Sequence, residues 1–190
     1  MRSRVFTTIG VVCLALAFIL SIYNLYDDSL TVNNQNKIIS EYDDKVVFDS
    51  LIDVPDYVLN PNIDMPEVDV DGVACIGVLE VPGVDLRLPV LSECTIESLK
   101  KAPGRYAGSA YLNNMVIGGH NSRAQFNQLY KLKEGDLVRF IDVAGNVFEY
   151  RVRASEVIGP DDVEGLTNGW PLSLFMCTYD NLNRYVIRCE

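Results

Sequence analysis

One thiol and one guanidinium near the C-terminus could act together. Residues 173–188 read SLFMCTYDNLNRYVIR, two apolar stretches joined by a polar turn, and this pattern predicts a β-hairpin. A two-residue turn at 180–181 would place Cys177 directly opposite Arg184. A four-residue loop at 180–183 would keep both on one face with a diagonal offset, and a loop of odd length would separate them.

A thiol beside a fixed cation has a recognisable chemistry. The positive charge favours the reactive thiolate, and a guanidinium can also stabilise an oxyanion that develops on a substrate. Arg188 shares the strand face of Arg184, but it lies four residues further along, about 13 Å at about 3.3 Å per residue. Of the two arginines, Arg184 is therefore the one that could lie beside the thiol. The alternative interpretation is a buried cysteine and a surface arginine on an ordinary hairpin.

The chain has a single histidine, His120, in the sequence VIGGHNS. Gly118 and Gly119 allow a sharp backbone turn, so the imidazole is predicted to lie at the end of a strand. His120 is thus the only histidine available for acid–base work, and a Cys–His pair is a standard way to activate a thiol. Serine-based catalysis would need the same histidine, and the chain has no GxSxG motif. A lone histidine is otherwise an ordinary surface or core residue.

The other four cysteines show no metal-binding spacing. Cys13 lies in an apolar N-terminal run, and neither a CxxC pair nor a Cys/His cluster is present, which argues against zinc or iron–sulfur sites. Cys75 and Cys94 are interpreted as small core residues, and a disulfide bond between them stays open. Cys189, at the penultimate position, is expected to be exposed and is the main competitor for the role of reactive thiol.

The N-terminus predicts a membrane anchor. The 21 positions from Val5 to Leu25 carry no charge, which matches the roughly 20 residues that cross a bilayer. Arg2 and Arg4 precede this run, so the N-terminus is expected in the cytoplasm and the remainder of the chain outside. A cleaved signal peptide is the alternative, although no small-x-small site ends the run. We assign residues 1–26 to a signal-anchor transmembrane helix.

Composition divides the rest of the chain into two parts. Residues 27–71 are acidic and are interpreted as a stalk or linker, with a helix between Thr31 and Leu51. Residues 72–190 change to short strands with turn signals between them and are assigned to one β-barrel or sandwich domain. The net charge of −10 argues against nucleic acid or an anionic membrane surface as the main partner. The predicted strands are 73–81, 84–91, 112–118, 136–143, 146–158, 172–178 and 184–189, with short helical pieces at 95–101 and 125–132.

Four segments in this order resemble the sortase family, the membrane-anchored cysteine transpeptidases of Gram-positive surfaces. They cover most of residues 75–189, and a predicted signal anchor precedes them. The last one resembles the TLxTC motif of the family, with Ser173 and Met176 in place of the two threonines. The segments are GVLEVPGVDLRLPVL (77–91), APGRYAGSAYLNNMVIGGHNS (102–122), FNQLYKLKEGDLVRF (126–140) and SLFMCTYDNLNRYVI (173–187).

The resemblance implies an all-β fold, a closed eight-stranded barrel with short helices, whose remaining strand would come from 105–111. It also implies roles for three residues: Cys177 as the nucleophile, His120 as the acid or base, and Arg184 as the clamp for the oxyanion and the substrate. No cofactor and no metal ion are implied. The sortase class stays open.

The activity implied is cleavage of a C-terminal sorting signal of LPxTG type. A thioacyl intermediate on Cys177 would be resolved by an amine from a peptidoglycan precursor or a pilin subunit. The partners would be surface proteins or pilins that carry sorting signals, that amine acceptor, and the membrane that holds the anchor. The location would be the cell membrane, with a single pass and the catalytic domain extracellular. Two alternatives are a catalytically silent sortase-like binding module and another cysteine peptidase or transpeptidase of the cell wall.

Overall fold

The computed structural model of the chain describes residues 2–45 and 54–190. The last part of the predicted stalk helix, 46–51, lies outside the described residues. Helix α1 spans Arg2–Lys45, so the apolar run and the following acidic residues form one continuous helix. It is long and apolar enough to cross a membrane, by length and composition. The anchor and stalk boundaries remain our proposal.

The described part of the chain contains nine strands and three further short helices. The helices are α2 (Asp56–Leu59), α3 (Ile96–Leu99) and α4 (Val163–Thr167), with 3₁₀ turns at Pro82–Val84 and Phe126–Lys131. The strands are β1 (Val68–Val70), β2 (Val73–Val81), β3 (Leu86–Leu91), β4 (Gly104–Ala107), β5 (Met115–Gly118), β6 (Leu137–Asp142), β7 (Val147–Ile158), β8 (Leu172–Cys177) and β9 (Arg184–Cys189).

Eight of these strands close into a barrel. Their order around the ring is β2-β3-β4-β5-β8-β9-β7-β6, and pairing of β6 with β2, from Gly77↔Asp142 to Glu80↔Arg139, closes it. β1 pairs with β2 outside the ring. The closed eight-stranded barrel implied by the family resemblance is therefore confirmed. Closure removes the exposed strand edges that an open sheet of this size would carry.

Some predicted strands have other bounds in the structure, and two short elements of the structure were not predicted. The strand predicted at 112–118 begins only at Met115, because Asn113 has φ 57° and turns the chain before the strand starts. The strand predicted at 105–111 is Gly104–Ala107. β1 and α4 were not predicted, because a three-residue strand and a five-residue helix carry almost no periodic signal.

The strand directions separate two rims of the barrel. The turns 82–85, 119–136 and 178–183 lie at one end, called here the upper rim. The turns 71–72, 108–114 and 143–146 lie at the other end, the lower rim. Both β5 and β8 run towards the upper rim, since the two strands are parallel.

The alternation of side chains in β8 and β9 decides which residues leave the core. Leu174, Met176 and Ile187 point inward and belong to the main hydrophobic cluster. Phe175 and Val186 point outward into a smaller cluster, where Leu166 of α4 covers them. Because side chains alternate along a strand, Cys177 lies on the same outer face as Phe175.

The second half of α1 packs along the barrel. Gln35, Ile38 and Tyr42 are buried on one helix face, and the Tyr42 hydroxyl donates to the carbonyl oxygen of Asp142 at 2.6 Å. Asp142 ends β6 at the lower rim. Residues 27–45, which were predicted to form part of a stalk, therefore form a helix that packs along the domain from its upper rim to its lower rim.

Candidate active site

The β8–β9 hairpin places a thiol directly opposite a guanidinium. Cys177 and Arg184 are register partners, and they are the last pair of the two strands. The connection is closed by a hydrogen bond from the Thr178 amide to the carbonyl oxygen of Asn183 at 2.9 Å. The loop is even in length, and the register equals that of a two-residue turn at 180–181. The sequence left open several loop lengths, and the structure has the arrangement in which Cys177 lies directly opposite Arg184.

The parallel register of β5 and β8 brings His120 to the same rim. Gly118 is the register partner of Phe175, and the Gly119 amide donates to the carbonyl oxygen of Phe175 at 3.0 Å. His120 and Cys177 each follow this pair by two residues. Both line one cleft of about 490 Å³ at the upper rim. The chain's only histidine and its exposed domain thiol are therefore neighbours across two adjacent strand ends.

Glycine is required at the end of β5 by close packing. A Cβ atom at Gly118 would lie 2.7 Å from the Cys94 sulfur and 2.7 Å from the Phe175 ring. A Cβ atom at Gly119 would lie 2.6 Å from the Phe126 ring. The glycine pair thus lets the chain pass between two aromatic rings before it presents the imidazole.

Two amide side chains that were not predicted as functional hold the histidine segment. Asn121 donates through Nδ2 to the carbonyl oxygen of Cys177 at 3.0 Å. Gln125 is buried, accepts from the His120 amide at 2.8 Å and donates to the carbonyl oxygen of Leu99 at 2.7 Å. The only sequence signal for Asn121 is its place directly after the histidine.

Burial and a nearby carboxylate act on His120 in opposite directions. Partial removal from water lowers the pKa of the imidazole, and the negative charge of Asp27 partly opposes this effect. Asp27 comes from α1, which also contributes Asp28 and Thr31 to the wall of the cleft. These α1 residues were not expected at the site, because they are more than 85 positions from His120 in the sequence.

The other thiols of the domain are less suited to react. Burial raises the pKa of Cys75 to about 11 and that of Cys189 to about 12. The expectation that Cys189 is exposed is wrong, because its side chain points into the barrel between β7 and β8. Burial also raises the pKa of Cys94, with Arg184 acting in the opposite direction. Cys75 and Cys94 are both free thiols.

The two arginines of β9 contact different parts of the same loop. Arg184 donates through Nε to the carbonyl oxygen of Pro160 at 2.9 Å, and its guanidinium carbon lies 5.3 Å from the centre of the Phe175 ring. A guanidinium held through Nε keeps its terminal nitrogens for a second partner. Arg184 is therefore fixed at the upper rim beside Cys177.

Arg188 is buried and has a structural set of partners. Its guanidinium donates to Glu156 and Ser173 at 2.7 and 2.8 Å, and to the carbonyl oxygens of Gly165 and Leu166. It thereby joins β9 to α4. Its register partner is Ser173, four residues before Cys177, so Arg188 is remote from the thiol.

Thiol, imidazole and guanidinium on one rim are the parts needed for acyl transfer. The thiol can attack a carbonyl carbon, the imidazole can move a proton, and the guanidinium can bind the developing oxyanion. Among residues 2–45 and 54–190, no group of three or more His, Cys, Asp or Glu side chains could hold a metal ion.

The domain matches a known family in sequence. Residues 79–190 match the family model of the sortase domain. Sortase D of Bacillus subtilis (strain 168) is 28% identical over 94 residues, which are 48% of this chain and 46% of that protein. The chain thus aligns with about half the length of this curated relative.

Solved structures share the fold. Sortase C of Streptococcus pneumoniae superposes with a TM-score of 0.55 and 26% identity, covering 60% of this chain and 64% of that chain. A Sortase D5 transpeptidase of Clostridium perfringens superposes with a TM-score of 0.59 over 85% of this chain and 98% of that chain. At 16% identity, the second likeness shows the fold alone.

Proposed function

This chain belongs to the sortase family of transpeptidases, and we propose that it cleaves a C-terminal sorting signal of LPxTG type with Cys177 as the nucleophile. The observation that carries the proposal is the register of three strands. Cys177 is opposite Arg184 in β8–β9 and shares a cleft with His120 across the parallel β5–β8 pair.

The first half of the reaction forms a thioester. His120 takes the proton of the Cys177 thiol, and the thiolate attacks the carbonyl carbon of the threonine–glycine bond. The Arg184 guanidinium binds the oxyanion of the tetrahedral intermediate. The carbon–nitrogen bond then breaks, and the departing amine takes the proton from His120. The depressed pKa of His120 supports a neutral imidazole as the resting form near pH 7, ready to accept a proton.

The second half transfers the acyl group. An acceptor amine attacks the thioester carbon and gives its proton to His120. The carbon–sulfur bond breaks, and the Cys177 sulfur recovers the proton from His120. Residues that carry the reaction are thus returned to their starting state, and a new amide bond replaces the one that was cleaved.

The proposed partners are surface proteins or pilins with a sorting signal, and an amine of a peptidoglycan precursor or of a pilin. For the Streptococcus pneumoniae Sortase C, pilin substrate specificity has been described, which supports pilins as one donor class. We further propose that α1 anchors the chain in the cell membrane. Arg2 and Arg4, before the apolar run, support a cytoplasmic N-terminus and an extracellular barrel.

Mass spectrometry of a covalent adduct tests the proposed function. The full chain in detergent micelles is mixed with a panel of LPxTG-type peptides, with and without a glycine oligomer as the acceptor amine. We expect a thioacyl adduct on Cys177, no adduct in Cys177→Ala, and almost no turnover in His120→Ala. Cys94→Ala is the matched control, because Cys94 is a second free thiol of the domain that packs beside Gly118, and its loss should leave the adduct intact. An active Cys177→Ala protein would overturn the mechanism.

A further inference from the structure

The end of the apolar run of α1 lies beside the upper rim. Leu25, the last residue of the run, lines a cleft with Arg123 and Ala124 of the loop that follows His120. Asn24 lines a neighbouring cleft with Asn121 and Asn127 of the same loop. Because α1 is one continuous helix, this loop lies at the level along the helix where the apolar run ends.

The lower rim lies far from that level. Tyr42 of α1 bonds to Asp142 at the lower rim, 17 residues after Leu25. At about 1.5 Å per residue these residues advance by about 25 Å along the helix. The barrel therefore has its upper rim next to the apolar run and its lower rim turned away from it.

The turn that follows Cys177 carries apolar side chains into solvent at this rim. Tyr179 is 74% exposed and Leu182 is 67% exposed. Tyr179 stacks on Tyr130 with ring centres 5.0 Å apart, so its ring is held in place although one face is open. Tyrosine is enriched at membrane–water interfaces, since its ring is apolar and its hydroxyl is polar.

We propose that the upper rim rests on the outer headgroup layer of the bilayer, with Tyr179 and Leu182 in contact with lipid. This inference depends on the proposed membrane crossing of α1. Asp27 and Asp28, which line the cleft with Cys177, follow Leu25 by two and three residues, about 3 to 4.5 Å along the helix. The cleft thus opens at the membrane surface, and a peptide tethered to lipid reaches it more readily than the same peptide in solution.

The position of the rim can be measured by fluorescence quenching. The full chain is reconstituted in vesicles of phosphatidylcholine and phosphatidylglycerol, with part of the lipid brominated near the top of the acyl chains. In a Trp170→Phe background, Leu182→Trp places one tryptophan at the upper rim. The unaltered chain is the control, because its single tryptophan, Trp170, precedes β8 at the lower end of that strand. We expect strong quenching at position 182 and little at 170.

Two failures can be told apart. A chain that does not float with the vesicles on a density gradient would overturn the anchor and this inference with it. A chain that floats but shows no quenching at position 182 would overturn the contact of the rim and leave the anchor. Adduct formation with soluble peptide reports on the proposed function independently of both results.

Turnover measurements give a second, independent test of the contact between the upper rim and lipid. Leu182→Asp should lower turnover of a lipid-tethered LPxTG-type peptide about fivefold and leave turnover of the soluble peptide within about twofold. Val147→Asp is the matched control, because Val147 is 52% exposed and begins β7 beside the turn 143–146 of the lower rim. Equal losses on both peptides for Leu182→Asp would assign the effect to the hairpin itself and overturn the proposal.

Discussion

The side-chain amide of Asn121 donates a hydrogen bond to the carbonyl oxygen of Cys177 at 3.0 Å, so the residue after the histidine holds the backbone of the thiol. Asn121 also accepts from Asn127 at 2.8 Å, and Asn127 donates to the Tyr179 hydroxyl at 3.0 Å. The loop after β5 and the turn after β8 are thus joined by a chain of side-chain hydrogen bonds. These bonds link the segment that carries the imidazole to the segment that carries the thiol.

Asn121→Ala should lower kcat/KM for an LPxTG-type peptide about tenfold, about 1.4 kcal/mol, since it removes one hydrogen bond between the two segments. The loss should appear mainly in kcat, because the substitution misplaces the catalytic groups and removes no substrate contact that we propose. Asn34→Ala, at an exposed position of α1, is the control and should change neither constant. An unchanged kcat in Asn121→Ala would contradict this positioning role.

Arg184→Ala should lower kcat/KM by two decades or more, about 3 kcal/mol, as for the loss of one oxyanion donor. The exposed location of the hydrogen bond from Arg184 to Pro160 predicts little change in the melting temperature. Arg153→Ala, which removes an arginine paired with Glu190 on the barrel surface, is the matched control. Steady-state kinetics and thermal unfolding on the same samples separate the two effects. Full activity in Arg184→Ala would refute the oxyanion role.

Arg188→Met should act on stability. The substitution removes a buried guanidinium that bonds to Ser173 and to two carbonyl oxygens of α4. We expect the free energy of unfolding to fall by about 2–4 kcal/mol, measured by chemical denaturation in detergent. Because Met retains much of the side-chain volume of Arg, a lower free energy of unfolding reports mainly on the lost hydrogen bonds. If Arg188→Met lowered turnover more than Arg184→Ala did, and was as stable as the unaltered chain, the proposed roles of the two arginines would be reversed.

His120 should titrate below the usual value of 6.5, because partial burial penalises its charged form. As the chain's only histidine, it gives a single C2 proton resonance by NMR, so the midpoint needs no assignment. Asp27→Asn should lower the pKa further, because the carboxylate raises it. Asp44→Asn, at an exposed position near the end of α1, is the control.

The same shift has a consequence for stability. A histidine whose pKa is lower in the folded state than in the unfolded state binds fewer protons when folded. The free energy of unfolding is therefore highest above pH 6.5 and falls as the pH drops below that value. Denaturation followed over this pH range, with His120→Gln as the reference, measures the contribution. A midpoint for His120 above 6.5 would show that the charge of Asp27 dominates over burial.

Local features of the chain were readable from the sequence. The uncharged run 5–25 needs only composition, and the alternation of β8 and β9 needs only neighbouring residues. The bounds of β2 and β9 were predicted to the residue for the same reason. The type and order of Cys177, His120 and Arg184 pointed to the family, whose membership is now shown. Their roles stay a proposal that kinetics must test.

Only the tertiary structure shows the features that depend on pairing between residues far apart in the sequence. His120 and Cys177 are 57 residues apart, and only the parallel register of β5 and β8 makes them neighbours. Cys189 was expected at the surface because it is penultimate, yet pairing of β9 with β7 and β8 turns its side chain into the core. The place of Asp27 in the cleft follows from the packing of Ile38 and Tyr42 on the barrel. Side-chain period is a property of one strand or helix, whereas register, closure and helix docking are properties of the whole chain.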